Sequence, residues 1–303
     1  MNLRHLAVFH AVAREGSISG AARALRIAQP AVSRQLRLLE ASLGVALVDR
    51  QPRGIRLTEA GRVLADDARR IFSLVRRAEQ TMRDFRDMAA GSLHLGASTT
   101  IANHFLPPVL GRFRRLHEGV DIRLQVGNTE MVHGLLLNDE VALGFTEGFV
   151  EHPELESIVF MRDELLLVAR PDHPLARRGR IAVDELRAFG LVLREQGSGT
   201  RAVLERHLRA AGVEARPVME LGSTAAVKSA VLDGVGAGVI SCMAVRSELE
   251  DGRLRQVEVE GPRMFRELHQ VRHRDRGESP AIRAFLPLLR EAARHAEAGL
   301  TAR

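Results

Sequence analysis

Cysteine is all but missing from the 303-residue sequence, which holds Cys242 alone. One thiol rules out an intramolecular disulfide and any cysteine-rich metal site, which fits a reducing compartment. Directly after an apolar run, Cys242 reads as a core residue. No apolar run approaches the roughly 20 residues that span a bilayer. The N-terminus has no apolar stretch of signal-peptide length, so the expectation is a cytoplasmic protein with no membrane contact. Lysine is as scarce, Lys228 being the only one among 44 basic residues; no function is read from that bias. The histidines at 94, 104, 117 and 133 lack metal-ligand spacing. The glycines of Gly234-Val235-Gly236-Ala237-Gly238 follow a helix instead of opening one after a first strand, against a dinucleotide reading. Ser198 lacks the setting of a hydrolase nucleophile. The expectation is therefore no metal, no cofactor, no catalytic residue and no enzyme. With 45% apolar residues, 27% charged residues and 11 prolines, the chain is expected to fold into two or three domains with real cores and no long disordered region.

What is present is unevenly charged. Residues 1–57 carry nine arginines against three acids, a net +6, while residues 58–303 carry 35 basic and 35 acidic groups. The whole formal charge sits in the first fifth, as a phosphate-binding module requires. Residues 3–14 read as an amphipathic helix with Leu3, Leu6, Phe9 and Ala13 on its packing side. A second helix, capped near Ser19, runs through Ala21, Ala22 and Leu25. Pro30 then opens a third, where a missing N–H is tolerated. In that helix Val32, Leu36, Leu39 and Leu43 repeat at spacings of four, three and four, forming one buried face. Arg34 and Arg37 take the other side, flanked by Ser33 and Gln35. Small alanines allow two helices to cross at a tight turn, and the pattern is a helix-turn-helix whose second helix fits a DNA major groove. Residues 44–57 read as a two-stranded wing turning at Pro52 and Gly54, with Arg50 and Arg53 near phosphates or minor groove. Arg34 is the leading base reader, then Ser33 and Gln35, although spacing alone does not separate base from phosphate contacts. A solvated arginine face on a small helical core is the blander alternative.

From Thr58 a proline-free stretch of about 32 residues runs to Gly91, roughly 48 Å if helical. Leu64, Ala68, Ile71, Val75, Ala78, Met82, Phe85 and Ala89 alternate spacings of four and three, a seam that suits pairing between two subunits. Leu64, Ile71, Val75, Met82 and Phe85 are the dimerisation candidates. Beyond Gly91, short apolar strands alternate with helices, an α/β pattern with a largely parallel sheet. A last helix over about 281–297 returns to the first part, implying two lobes joined near 165–170 and 265–272.

Ligands of such sheets bind beyond the carboxyl ends of the strands, where helix N-termini offer N–H groups. Four junctions carry small polar side chains: Ser98, Thr99 and Thr100; Asn128 and Thr129; Ser198 and Thr200 in Gly197-Ser198-Gly199-Thr200-Arg201; and Ser223 with Thr224. Each alone is also an ordinary helix cap. Together they suit a small polar or anionic effector, with Arg201 able to bind a carboxylate, sulfonate or phosphate bidentately. Glu147 and Glu195, at strand ends, can pair with Arg201 or accept from effector hydroxyls.

The stretch from Phe9 to Glu40 (Phe-x-x-Val-Ala-x-x-Gly-Ser-Ile-Ser-x-Ala-Ala-x-x-Leu, then Gln-Pro-Ala-Val-Ser-Arg-Gln-Leu-x-x-Leu-Glu), with Leu43-Gly44, Arg50 and Leu57-Thr58-Glu59-Ala60-Gly61, resembles the LysR-type transcriptional regulators, and the similarity extends over essentially the whole chain. Leu47-Val48 departs from the family's usual Leu-Phe but keeps an apolar packing group. The resemblance implies an N-terminal winged helix-turn-helix dominated by helices (1–58), a linker and dimerisation helix (59–90) and an effector-binding domain (91–303). That domain would have two Rossmann-like α/β lobes in the manner of periplasmic binding proteins, lobe I at about 91–165 and 267–303 and lobe II at about 166–266. It further implies homodimers or homotetramers on double-stranded promoter DNA, activation or repression, and RNA polymerase as a further partner. Gln29, Pro30, Ser33 and Arg34 would approach DNA. Arg194-Glu195-Gln196-Gly197-Ser198-Gly199-Thr200-Arg201 resembles the branch of Calvin-cycle and sulfur or sulfite regulators, which favours an anionic effector without choosing one. Outside the family, a nucleoid-type DNA-binding protein and a small-solute-binding protein are the alternative readings.

Overall fold

Asn2 starts the first helix, α1 (Leu3–Glu15), its side chain accepting from Arg4 N at 2.8 Å. Gly16, left-handed at φ 62°, ends it, and Ser17 caps α2 (Ile18–Leu25) by accepting from Gly20 N. The cap expected near Ser19 lies two residues earlier, because Ser17 is the extended residue and Ser19 is already helical. Arg26 closes α2 in the left-handed region, and α3 (Gln29–Leu43) follows with proline in its first turn. Leu6, Phe9, Val12, Ala21, Ala22, Val32, Leu36 and Leu39 bury together. Leu3 and Leu43, expected on the same faces, lie outside: each sits at a helix end beyond the crossing, and Leu43 is 36% exposed.

The wing is an antiparallel pair, β1 (Val48–Gln51) and β2 (Gly54–Leu57). Glu40 of α3 accepts from Leu47 N at 2.8 Å and Val48 N at 3.3 Å, and Ile55 N donates to Gly16 O, so the wing is pinned at both ends. Thr58 is a cap and not the first helical residue: its hydroxyl accepts from Gly61 N and donates to Ala46 O. It opens α4 (Glu59–Arg86), about 42 Å of helix. Of the seam, Ala68 is fully buried and Leu64 and Ile71 pack on the core of α1–α3, whereas Val75 and Met82, seven apart, are 40% and 61% exposed.

The structure, a computed structural model, describes residues 1–51, 54–86 and 91–301. Two compact units result, Met1–Arg83 and Asp84–Arg303. Arg53 lies outside the described residues, as do Ala89 and the side chains of Arg50 and Phe85.

In the second unit, β3 (Ser92–Ser98), α5 (Thr99–His104), α6 (Leu106–Leu116), β4 (Asp121–Gly127), α7 (Thr129–Leu137) and β5 (Leu143–Glu147) build the first lobe. Phe105 separates α5 from α6 just before Pro107-Pro108. The chain crosses on β6 (Leu155–Ala169), then makes α8 (Pro174–Arg178), β7 (Arg180–Ile181), β8 (Leu191–Arg194), α9 (Gly199–Ala210), β9 (Pro217–Leu221), α10 (Thr224–Leu232), β10 (Ala237–Ser241), α11 (Cys242–Glu250) and β11 (Arg255–Val259). Cys242 is half-buried at the start of α11. Strand β12 (Met264–His273) returns, and α12 (Pro280–Thr301) repacks on the first lobe through Ile282, Phe285 and Leu289.

One sheet runs β4-β3-β5-β12-β6-β10-β8-β9. Within each lobe the strands are parallel (β3 with β4 and β5, β8 with β9 and β10). The two crossover strands, β6 and β12, pair antiparallel between them. Apolar clusters cover both faces of each lobe's sheet, which is why the central strands read as continuous apolar runs.

Candidate functional site: a basic helix and an interlobe cleft

On the first unit, Gln29 and Pro30 stand exposed at the start of α3, with Arg34 and Arg37 exposed one and two turns on and Ser33 and Gln35 half-buried beside them. Arg37 Nε donates back to Ser33 O at 3.3 Å. Ala28, the residue before α3, supplies no side-chain acceptor to the first turn. Its N–H groups and the positive end of the helix dipole therefore favour an outside anion such as phosphate. Gln35 Oε1 is buried with no hydrogen-bond partner among the described residues.

On the second unit, strand ends deliver four helix N-termini to the space between the lobes: Thr99 (α5), Thr129 (α7), Gly199 (α9) and Thr224 (α10). Asn128 and Ser223 are true caps, accepting from Met131 N and Ala226 N. Ser98 and Ser198 precede helices without capping them. The Ser98 hydroxyl is buried and has no hydrogen-bond partner among the described residues.

The twelve predicted effector residues fall into two groups. In the first, Thr224 Oγ1 of the second lobe meets Thr99 Oγ1 and Thr100 Oγ1 of the first, each at 3.3 Å. Between them stands Arg194, 5% exposed at the end of β8, whose Nη1 donates to Thr99 Oγ1 at 3.0 Å and Thr224 Oγ1 at 2.9 Å. Its other edge is held by Glu195. Burial would raise the Glu195 carboxyl, but Arg194 outweighs it and, with Asn128, holds it below the usual carboxylate range.

In the second group, Thr129 Oγ1 donates to Glu147 O at 3.2 Å, and Gly199 lies against both. A Cβ at Gly199 would overlap the Glu147 carbonyl, so the lobes meet here on a bare glycine. Fully buried Arg266 of β12 joins Glu147 Oε1 (3.3 Å), Asp163 Oδ2 (2.7 Å) and Thr200 Oγ1 (2.6 Å). A cavity of about 650 Å³ opens beside this group, lined by Thr129, His133, Phe149, Ser198 and Arg201 among others. Burial, then His152 and His269, lowers His133 to about 4, so it stands neutral there.

Arg201, which lines the cavity, is paired with glutamates other than the two expected. Glu205, one turn on, holds Nε at 2.7 Å, and Nη1 donates to Glu220 Oε2 (2.5 Å) and Arg194 O (3.0 Å). Neither Glu147 nor Glu195 pairs with it; they pair with Arg266 and Arg194. Besides Arg266, the cleft holds a second buried arginine, Arg194, which the candidate residues read from the sequence did not include. The available signal was its place as the last residue of an apolar strand, where side chains meet a ligand cleft. Arg266 and Asp163 carried no comparable signal.

Among the described residues no group of three His, Cys, Asp or Glu could hold a metal ion, and no helix is long and apolar enough to cross a membrane.

Comparison with known proteins agrees with this layout. Residues 3–62 match the bacterial regulatory helix-turn-helix protein, lysR family, and residues 86–294 match the LysR substrate binding domain. The chain is 37% identical over 295 residues to the RuBisCO operon transcriptional regulator of Allochromatium vinosum, covering 97% of each. Full-length CbnR complexed with its target DNA is similar at TM-score 0.65 and 25% identity, over 97% of this chain and 100% of that one. The CcmR regulatory domain of Synechocystis PCC6803, in complex with 2-PG, is similar at TM-score 0.62 and 29% identity, over 67% of this chain and 97% of that one. A basic helix-turn-helix joined to a two-lobed effector-binding domain, matched along nearly its whole length, makes this chain a member of the LysR family of DNA-binding transcriptional regulators, in the branch that holds RuBisCO operon regulators.

Proposed function

We propose that a small anionic metabolite, seated between the lobes at Arg194, modulates the binding of this regulator to promoter DNA. The observation that carries the reading is the buried Arg194 guanidinium, which donates at once to Thr99 on one lobe and Thr224 on the other. An anion there gains charge-assisted hydrogen bonds from Arg194 and the dipoles of two helix N-termini. The unpartnered Ser98 hydroxyl next to Thr99 offers a further donor. The 2-PG complex of the related CcmR domain supports an anion of this size. In the same reading residues 1–58 form the DNA-binding domain, 59–90 the dimerisation helix and 91–303 the effector domain. Val75 and Met82, exposed on α4, form a seam between two subunits, which become a dimer or tetramer presenting α3 twice along the duplex.

Titrating 2-PG, sulfite and inorganic phosphate into the full chain by calorimetry, with a promoter fragment present and absent, tests the site. Charged hydrogen bonds are worth roughly 1.5–3 kcal/mol each, so Arg194→Met should weaken the binding anion about 100-fold or more. Unchanged affinity in that variant would remove Arg194 from the site.

For DNA, Arg34→Ala should lower operator affinity about fivefold or more, as for one contact worth about 1–3 kcal/mol. Relaxed discrimination at one base pair would mark a base contact. A uniform loss with a shallower salt dependence would mark a phosphate contact. A variant that binds the operator like its parent would take Arg34 out of the interface.

A further inference from the structure

Glu195 directly follows Arg194, and its two carboxylate oxygens take both Nε (2.7 Å) and Nη2 (2.8 Å) of that guanidinium. Two parallel N–H···O bonds are the geometry in which arginine recognises a free carboxylate. The edge of Arg194 best suited to an anion is thus already filled, by the chain itself. Beside it the Asn128 amide, from the cap of α7 on the opposite lobe, donates to Gln196 O at 3.5 Å. Glu195 therefore occupies the seat at the point where the lobes meet.

We infer that Glu195 is a built-in competitor for the effector seat, and that the seat for this reason selects a doubly charged oxyanion over a monocarboxylate. The inference rests on the anion site proposed above and names the class of anion. A monocarboxylate offers Arg194 nothing that Glu195 does not supply already. Glu195 competes without loss of translational freedom, at the effective concentration of a tethered partner, in the millimolar range or higher. A dianion of phosphorus or sulfur has a stronger attraction to the guanidinium. It also has three or more acceptor oxygens, enough to take Arg194 together with the Thr99 and Thr224 hydroxyls that Arg194 now engages. Glu195 is 23% exposed, so once displaced it can turn toward water, where screening weakens its repulsion of the dianion. A dianion that takes the Thr99 and Thr224 hydroxyls replaces the hydrogen bonds by which Arg194 spans the lobes, so occupancy of the seat becomes a change in how the lobes are held.

The test is calorimetric titration of the full chain with sulfate and with acetate, in the parent, Glu195→Gln and Arg194→Met. The parent should bind sulfate at least tenfold more tightly than acetate. Glu195→Gln should bind both anions more tightly, at least tenfold for acetate, so that the preference narrows. A damaged fold does not produce a gain in affinity, so this result separates competition from a structural role. Glu195→Gln binding neither anion more tightly than a parent that does bind sulfate, or a parent that favours acetate, would overturn the inference and leave the anion site standing. Sulfate binding that survives Arg194→Met, or no anion binding in either the parent or Glu195→Gln, would instead overturn the anion site and the inference with it.

Discussion

Arg266→Met should cost the effector domain about 3–5 kcal/mol, the usual penalty for removing one partner from a buried ionic network. Arg266 is fully buried on β12, one of the two strands that cross between the lobes. Its guanidinium is shared by Asp163 of β6, Glu147 at the end of β5 and Thr200 in the first turn of α9, while Ser241 donates to the second oxygen of Asp163. Methionine fills the volume of the arginine stem but strands two carboxylates out of water and within reach of each other. At 2–4 °C per kcal/mol for a unit of this size, the transition should fall by about 10 °C in a calorimetric scan at pH 8. A variant melting within 2 °C of the parent at pH 8 would show that the network contributes little. Because Arg266 also fixes Thr200, the same variant should respond more weakly to effector.

Much of this arrangement could be read from local sequence. Net charge gathered in residues 1–57 and the spacing of Val32, Leu36 and Leu39 located the DNA-binding helices, since both properties are written in consecutive residues. The four polar junctions did mark helix N-termini in one cleft, because a hydroxyl or amide before an apolar helix has few other uses. Local sequence did not disclose the partners of two arginines seven residues apart, Arg194 and Arg201. Arg201 is drawn onto its own helix by Glu205 at i+4, a pairing legible in the sequence, and then by Glu220 from β9, which was not. The first half of β6 has no legible strand pattern, because Ile158 and Val159 are exposed there and charged residues interrupt the run, whereas 165–169 is a continuous apolar run buried on both faces. The seam on α4 shows the limit of periodicity most plainly. Spacings of four and three say that a face is covered, not by what. Leu64 and Ile71 are covered by their own domain.

Gly61→Ala should destabilise the DNA-binding unit by about 2 kcal/mol, although alanine is the better helix former by about 1 kcal/mol. Gly61 is buried in the first turn of α4, and a Cβ there would overlap the Leu47 carbonyl. That carbonyl cannot withdraw cheaply. It accepts from Thr58 N at 3.0 Å, Leu47 N is held by Glu40 Oε1 at 2.8 Å, and the Leu47 side chain is sealed in the core of α1–α3. Overpacking of this kind costs roughly 1–3 kcal/mol or more when backbone must move, which exceeds the propensity gain. The strain is relieved by moving Leu47 and with it β1, so the wing should leave its place beside α3 and operator affinity should fall together with the melting temperature, by about 10 °C for a unit of 83 residues. Gly111→Ala makes the contrast, because a Cβ in α6 would meet nothing closer than Arg115 Nη1 at 3.7 Å. There the propensity gain stands alone, and the effector domain should keep or slightly raise its stability. Equal behaviour of the two variants in calorimetry would mean that the Leu47 contact does not decide the outcome; opposite signs are expected, because one glycine makes room for a fixed carbonyl and the other makes room for nothing.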